Sequence, residues 1–349
     1  MRLALLTEYT RIGGGESNLL NLAEELNKYI EVTIFCGGDV KKEAQKRNIN
    51  TEEFSISHRW FKGILFPKYD KTLINRLNSF DIVHSYSINP VSLFPFIKSK
   101  KVLTIHGFWE RPYGLRAKII EKFTDKVITV STDVYNITKV KNKEKIFLGT
   151  KIENCQKEEL DFKKVKIACI GRFQEIKGQD ILLNALKIVS DNVSFPIEVA
   201  FIGDVNSKNK KDIEFKQKVL FLAKKLNNPK LKINFLGFQN DVKKYISKSH
   251  LVVVPSRYES FSMVSIEALS CQTPVIAPKI GGLKDIIDSD KMGLLFEPEN
   301  IKDLAQKIIY AIENYDGFDK NQIKKRSEDF SIQVQAKKHL KLYKELLSG

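Results

Sequence analysis

Cysteine is scarce, at four in 349 residues, and Cys36, Cys155, Cys169 and Cys271 include no close pair. That scatter excludes a compact zinc site, a two-cysteine redox motif and a dense disulfide framework, and all four read as reduced, mostly structural thiols. No apolar run reaches the roughly 18 residues that crossing a bilayer requires, so no membrane span is expected. The opening MRLALLTEYT turns polar at Thr7, too early for a signal peptide, and reads as a first strand of a cytoplasmic protein. Low-complexity tracts and short-period repeats are missing too.

What is present is a soluble composition, 42% hydrophobic and 29% charged, on a chain longer than one hydrophobic core usually serves. Two domains are the natural expectation. The formal net charge is +16, shared evenly between residues 1 to 150 and the remainder. Such an excess suits nucleic acid, an anionic membrane surface or a phosphorylated substrate, and lysine-rich solvated helix faces account for it equally well. With no recognisable nucleic-acid module, nucleic acid is not expected as a partner. An anionic membrane surface remains open, with a peripheral position at the inner face of the membrane.

Short apolar runs of strand character alternate with amphipathic stretches: Leu3 to Leu6, Val32 to Phe35, Ile82 to His84, Val102 to Ile105 and Val127 to Val130. After a charged stretch near Lys151 to Lys164 the pattern restarts, at Lys166 to Ile170, Glu198 to Ile202, Lys232 to Leu236, Leu251 to Val254 and Pro274 to Ile276. The fold class is therefore α/β, with two Rossmann-like doubly wound units. The boundaries drawn are 1–155, 156–330, and a C-terminal helix over 331–349 that packs back on the first domain. That helix has Ile332, Ala336, Leu340, Tyr343 and Leu347 at helical spacing and Ser331 as its N-cap.

Three segments carry chemistry. Gly13-Gly14-Gly15-Glu16 lies at a strand-to-helix turn, where glycines let backbone N–H groups approach an anion, although the spacing is not a dinucleotide fingerprint. Gly171 to Gly178 follows the first strand of the second unit and puts Arg172 and Lys177 at the carboxyl edge of a parallel sheet. A planar guanidinium and a compact ammonium there suit a diphosphate. Pro255 to Leu269 reads as a loop entering a helix, with Phe261, Ser262 and Met263 able to offer backbone N–H donors and Glu259 and Glu267 able to accept from sugar hydroxyls. Taken singly, each segment is also an ordinary loop with solvated charges.

Gly14 with Glu16, Arg172 with Lys177, and Glu259 with Glu267 together resemble the signature of glycosyltransferase family 4. Thr273-Pro274-Val275-Ile276, Gly281-Gly282 and Gly293-Leu294-Leu295-Phe296 extend the resemblance over nearly the whole chain. It implies a retaining, nucleotide-sugar-dependent enzyme of the GT-B architecture, whose two domains face each other across a cleft. Carried over, Arg172 and Lys177 hold the donor diphosphate, Glu259 contacts the transferred sugar, and Glu267 binds the ribose. Gly14 and Gly15 cover the phosphates, Gly237 and Phe238 frame the base, and His106 faces the reacting sugar. The implied partners are a nucleotide sugar and a glycan or lipid-linked acceptor. No cofactor or metal is implied, since the two cations carry the charge, and no Asp-x-Asp metal motif is evident.

Four positions depart from the family pattern: Ser262 and Gln272 stand where glycine is common, Leu148-Gly149-Thr150 replaces a frequent Asn-Gly, and Asp285 replaces glutamate. On the acceptor side, Trp60 and Phe61 lie in a stretch that interleaves bases with aromatics, and Trp109 and Arg111 follow His106. Such mixtures stack on sugars or sit at a lipid headgroup boundary. Rival readings are a sugar phosphorylase of the same fold and a non-catalytic nucleotide- or glycan-binding module. Glu259 as a covalent nucleophile is the mechanistic alternative to front-face transfer.

Overall fold

The computed structural model describes residues 1–61, 64–68, 71–107, 110, 114–152, 155, 157–205, 209–226 and 228–349; side chains at 58–61, 64–68 and 114–116 are not described. The chain divides into two compact units, Met1–Lys151 with Phe330–Gly349, and Ile152–Asp329. No helix among the described residues is long and apolar enough to cross a membrane.

The first unit contains β1 (Arg2–Leu6), β2 (Glu31–Cys36), β3 (Asn50–Glu53), β4 (Ser57–Phe61), β5 (Ile64–Lys68), β6 (Ile82–Ser85), β7 (Lys100–Ile105), β8 (Lys126–Thr129) and β9 (Lys143–Lys145). Seven form a parallel sheet in the order β3-β2-β1-β6-β7-β8-β9, and β4 and β5 pair as an antiparallel hairpin. Central strands such as β1 and β2 are buried along nearly their whole length, which is why they read as continuous apolar runs.

The second unit contains β10 (Val165–Ile170), β11 (Ile197–Ile202), β12 (Leu231–Phe235), β13 (Leu251–Val253), β14 (Val275–Pro278) and β15 (Gly293–Phe296), all parallel in the order β12-β11-β10-β13-β14-β15. The strand order reverses between β10 and β13, where Ile167 pairs with Leu251. The carboxyl ends of two such strands lead in opposite directions and leave a crevice for ligand-binding loops. Helices cover the sheet with apolar stripes: Ile301–Glu313 buries Leu304, Ala305, Ile308, Ala311 and Ile312, and Asn300 caps it.

After Asp329 the chain rejoins the first unit. Thr150 pairs with Ser331 as an isolated parallel bridge, and the helix Ile332–Ser348 starts from Ser331, whose hydroxyl accepts from the Val334 N–H at 3.3 Å. Ile332, Ala336, Leu342 and Tyr343 enter the core of the first unit, whereas Leu347 is exposed. Buried Asn18 donates to the Gly149 carbonyl at 2.7 Å and to Gln335 at 2.8 Å, tying the first helix to the last.

The cysteine expectation needs correction. Cys155 and Cys271 are joined by a disulfide across a sequence separation of 116, because the start of the second unit runs beside the end of the helix Met263–Ser270. Proximity of that kind leaves no trace in spacing along the chain. Cys36 and Cys169 are free and buried, and burial pushes both thiols up to about 12.

Candidate active site

In the second unit the chain leaves β10 into the loop Gly171 to Gly178 and leaves β13 into the loop Pro255 to Phe261. Both emerge at the switch point, on neighbouring strands. Lys177 ends a 3-10 turn, Glu175–Lys177, and its ammonium lies 2.6 Å from Glu259 Oε2. The Ser256 hydroxyl donates to the same oxygen at 3.4 Å. Glu259 is 11% exposed and Lys177 28%, so the pair is largely shielded but not sealed from solvent.

Two glycines make this approach possible. Gly178 adopts a left-handed conformation, and a Cβ there would stand 2.0 Å from the Pro255 carbonyl oxygen. Gly281 is also left-handed, and its Cβ would fall 1.6 Å from the Glu259 carbonyl oxygen. Only a residue without a side chain allows such contact in such a conformation. The Gly282 N–H donates to the Ser260 carbonyl at 3.0 Å and fastens the same loop.

Glu267 lies in the helix Met263–Ser270, which begins immediately after the Glu259 loop. Burial raises its carboxyl to about 7 against the opposing pull of Lys243. No hydrogen bond reaches that carboxyl from the described residues. Ser262, in place of the common glycine, is the N-cap: its hydroxyl accepts from the Ser265 N–H at 3.3 Å. Phe261 is buried against Gly282. Met263 opens the first turn, whose N–H groups have no intrahelical acceptor.

Arg172 is exposed just after β10, and its guanidinium has no hydrogen-bond or ion-pair partner among the described residues. Gly237 and Phe238 follow β12. The Gly237 carbonyl accepts from the Gly203 N–H at 2.8 Å, and the Phe238 ring is 70% exposed. Of the expected donor residues, the structure joins Lys177 directly to Glu259, and no hydrogen bond links Arg172 or Glu267 to that pair.

In the first unit, the helix Gly14–Leu26 begins at Gly14 itself, with Gly15 next, inside the glycine run read as the strand-to-helix turn. The Glu16 carboxylate accepts the Gly13 N–H at 2.9 Å and so caps the helix from within. His106 follows β7. Its N–H donates to the buried Glu110 carboxylate at 2.7 Å, and its ring lies 5.4 Å from that of Tyr86. Burial lowers the imidazole to about 4, so it is neutral at neutral pH. Behind Tyr86, His84 hydrogen-bonds Tyr343 at 2.6 Å and Thr104 at 2.7 Å. Trp109 and Arg111 lie outside the described residues. Trp60 and Phe61 are in β4, their side chains likewise outside the description.

Residues 150–330 match the family described as Glycosyl transferases group 1, and residues 12–145 match Glycosyltransferase Family 4. The chain belongs to the group 1 glycosyl transferases. An uncharacterized glycosyltransferase of Methanocaldococcus jannaschii is 29% identical over 326 residues, covering 88% of this chain and 86% of that one. Anabaena Alr3699/HepE, solved in complex with UDP, has a TM-score of 0.83 at 18% identity, covering 99% of this chain and 100% of its own. The same protein in complex with UDP-glucose gives 0.78 at 19% identity, covering 98% and 99%. The fold of this glycosyltransferase is therefore GT-B, with two Rossmann-like units.

Three features of this group 1 glycosyltransferase escaped the sequence. Arg257 and Asp180 form a shielded ion pair beside Lys177; the cue was an arginine two residues before Glu259 and an acid three residues after Lys177. Glu110 is buried against His106, with no local pattern to mark it. Contrary to expectation, the sequence contains an Asp-x-Asp triplet, Asp288-Ser289-Asp290; Asp288 is engaged by Arg326 at 3.0 Å. Gln272, at the position where glycine is common, has a left-handed φ of 54°, so the family glycine answers a backbone demand that glutamine meets under strain.

Proposed function

We propose that the chain moves a hexose or N-acetylhexosamine from a nucleotide diphosphate sugar to a hydroxyl of a glycan or lipid-linked acceptor, with retention and without a metal. The observation that carries this reading is the Lys177–Glu259 contact at the β10/β13 switch point, where open α/β sheets bind ligands. A cation and a carboxylate held together there can serve two ends of one donor. Lys177, with Arg172, neutralises charge growing on the departing diphosphate, and Glu259 supports positive charge developing at the anomeric carbon.

Glu267 accepts hydrogen bonds from the ribose hydroxyls. The N–H groups at Phe261, Ser262 and Met263 and those at Gly14 and Gly15 meet phosphate oxygens, Gly237 and Phe238 border the base, and neutral His106 faces the transferred sugar. In the front-face mechanism, a phosphate oxygen of the leaving group takes the proton of the acceptor hydroxyl as the glycosidic bond to that phosphate breaks, and the new bond forms on the same face. Trp60, Phe61, Trp109 and Arg111 are proposed for the acceptor. UDP and UDP-glucose in the Anabaena neighbour support a nucleotide-sugar donor, uridine-based donors first among those to test.

A panel of nucleotide diphosphate sugars, assayed for donor hydrolysis and transfer with wild type and Glu259→Ala, tests the reading. Turnover of one donor by wild type and its loss in the variant are expected. Nucleotide-independent phosphorolysis, or unchanged turnover in Glu259→Ala, would overturn it.

A further inference from the structure

Lys177 and Glu259 sit on segments that are 82 residues apart in sequence, and an ammonium on a four-carbon stem is not held in place by one carboxylate. The structure supplies the missing constraint at Arg257. Its backbone N–H donates to the Ile176 carbonyl at 2.8 Å, and its Nη1 donates to the Glu175 carbonyl at 2.6 Å. One residue thus holds the first two carbonyls of the turn that ends in Lys177, from a position two residues before Glu259. The same guanidinium grips Asp180 with a two-pronged contact, Nη1 to Oδ1 at 2.9 Å and Nη2 to Oδ2 at 3.0 Å. Its Nε donates to Glu299 at 3.0 Å.

Asp180 is 7% exposed, lies in the first turn of the helix Gln179–Asn192, and also meets Lys218 at 3.1 Å. A planar fork on a carboxylate fixes direction as well as distance, which a single ion pair does not. Both segments that carry the reactive pair are therefore referred to one rigid helix start.

We propose that Arg257 and Asp180 are positioning residues for donor binding: they set the Lys177 turn against the Glu259 loop so that the ammonium meets the diphosphate. This rests on the donor reading above. Removing the fork leaves Lys177 and Glu259 present but releases the turn, so the loss passes through Lys177 and vanishes when Lys177 is absent. Lysine at 257 keeps the charge but cannot make the fork and restores little.

The test is calorimetric binding of UDP, GDP and ADP to the full chain, following the tightest, in wild type, Lys177→Ala, Arg257→Met, Arg257→Lys, Asp180→Asn, and Lys177→Ala combined with Arg257→Met and, separately, with Asp180→Asn. Thermal melts confirm that each is folded; Arg257→Lys and Asp180→Asn serve if Arg257→Met is not. We expect Arg257→Met and Asp180→Asn to weaken affinity about tenfold in the wild-type background and less than about twofold where Lys177 is already alanine. Equal factors in both backgrounds, or lowered melting with unchanged affinity, would mean a purely structural ion pair and overturn the proposal alone. Failure of wild type to bind any of the three nucleotides would overturn the donor reading, and this inference with it.

Discussion

The Glu259 carbonyl oxygen occupies the space that a side chain on Gly281 would need, 1.6 Å from an ideal Cβ. A Gly281→Ala chain must move the Glu259 loop. Misplacement by about 1 Å can cost on the order of 100-fold in rate, so turnover should fall by about that factor while the fold persists. Steady-state kinetics beside circular dichroism checks this.

Gln272 points to the opposite kind of change. Its left-handed φ of 54° follows the helix Met263–Ser270, and glycine adopts that conformation without strain. Relief of about 1–2 kcal/mol, less the extra entropy glycine gives the unfolded chain, leaves Gln272→Gly more stable by about 0.5–1 kcal/mol. Urea unfolding reads the difference directly.

The Cys155–Cys271 cross-link closes a loop of 116 residues in sequence separation. Reduction, or Cys271→Ser, should lower stability by about 2–4 kcal/mol, chiefly by freeing the unfolded chain. Denaturant curves with and without reductant measure it, and the reductant should have no effect on Cys271→Ser.

Histidines set an acid limit. Burial holds His106, His250 and His339 down to about 4, and His84 well below its ordinary value. Unfolding returns each to about 6.5, so the unfolded chain binds more protons below that pH. Their contribution is complete above pH 6.5 and is lost as pH falls toward 4, each group adding up to about 1.4 kcal/mol per pH unit. Unfolding free energies between pH 7.5 and 5 should show the decline, and His339→Gln should make it shallower.

Glu267 governs a different pH response. With its carboxyl raised to about 7 by burial, it is only partly ionised at neutral pH. Ribose hydroxyls donate to a carboxylate, so nucleotide affinity should rise from pH 6 to 8, and Glu267→Gln should flatten the rise while weakening binding at pH 8. Titrations across that range decide the matter.

Much of this architecture is legible in the residues themselves. The runs that became β1, β2, β6, β7, β8 and β10 to β14 are apolar because parallel strands are covered on both faces. Besides β4, β5 and β15, the strands that escaped are β3, with the sequence NTEE, and β9, with KEK. Both are sheet edges, where charge guards against unwanted pairing and erases the apolar signal. In the site, Lys177 and Glu259 are recognisable from the loops they occupy. Their contact depends on β13 lying beside β10 although β11 and β12 intervene in sequence, and no local pattern encodes that. The disulfide and the Arg257–Asp180 fork are hidden for the same reason. Gln272 and Ser262 show the converse: departures from a family pattern become intelligible once the backbone conformation and the cap are known.

A crystal structure of the chain with an unreactive nucleotide diphosphate sugar bound would test the central claim most directly. Diphosphate oxygens are expected within hydrogen-bond distance of Lys177 Nζ and the Arg172 guanidinium, with the sugar against Glu259 and the ribose on Glu267. A nucleotide bound elsewhere, with Lys177 and Glu259 still paired only to each other, would contradict it.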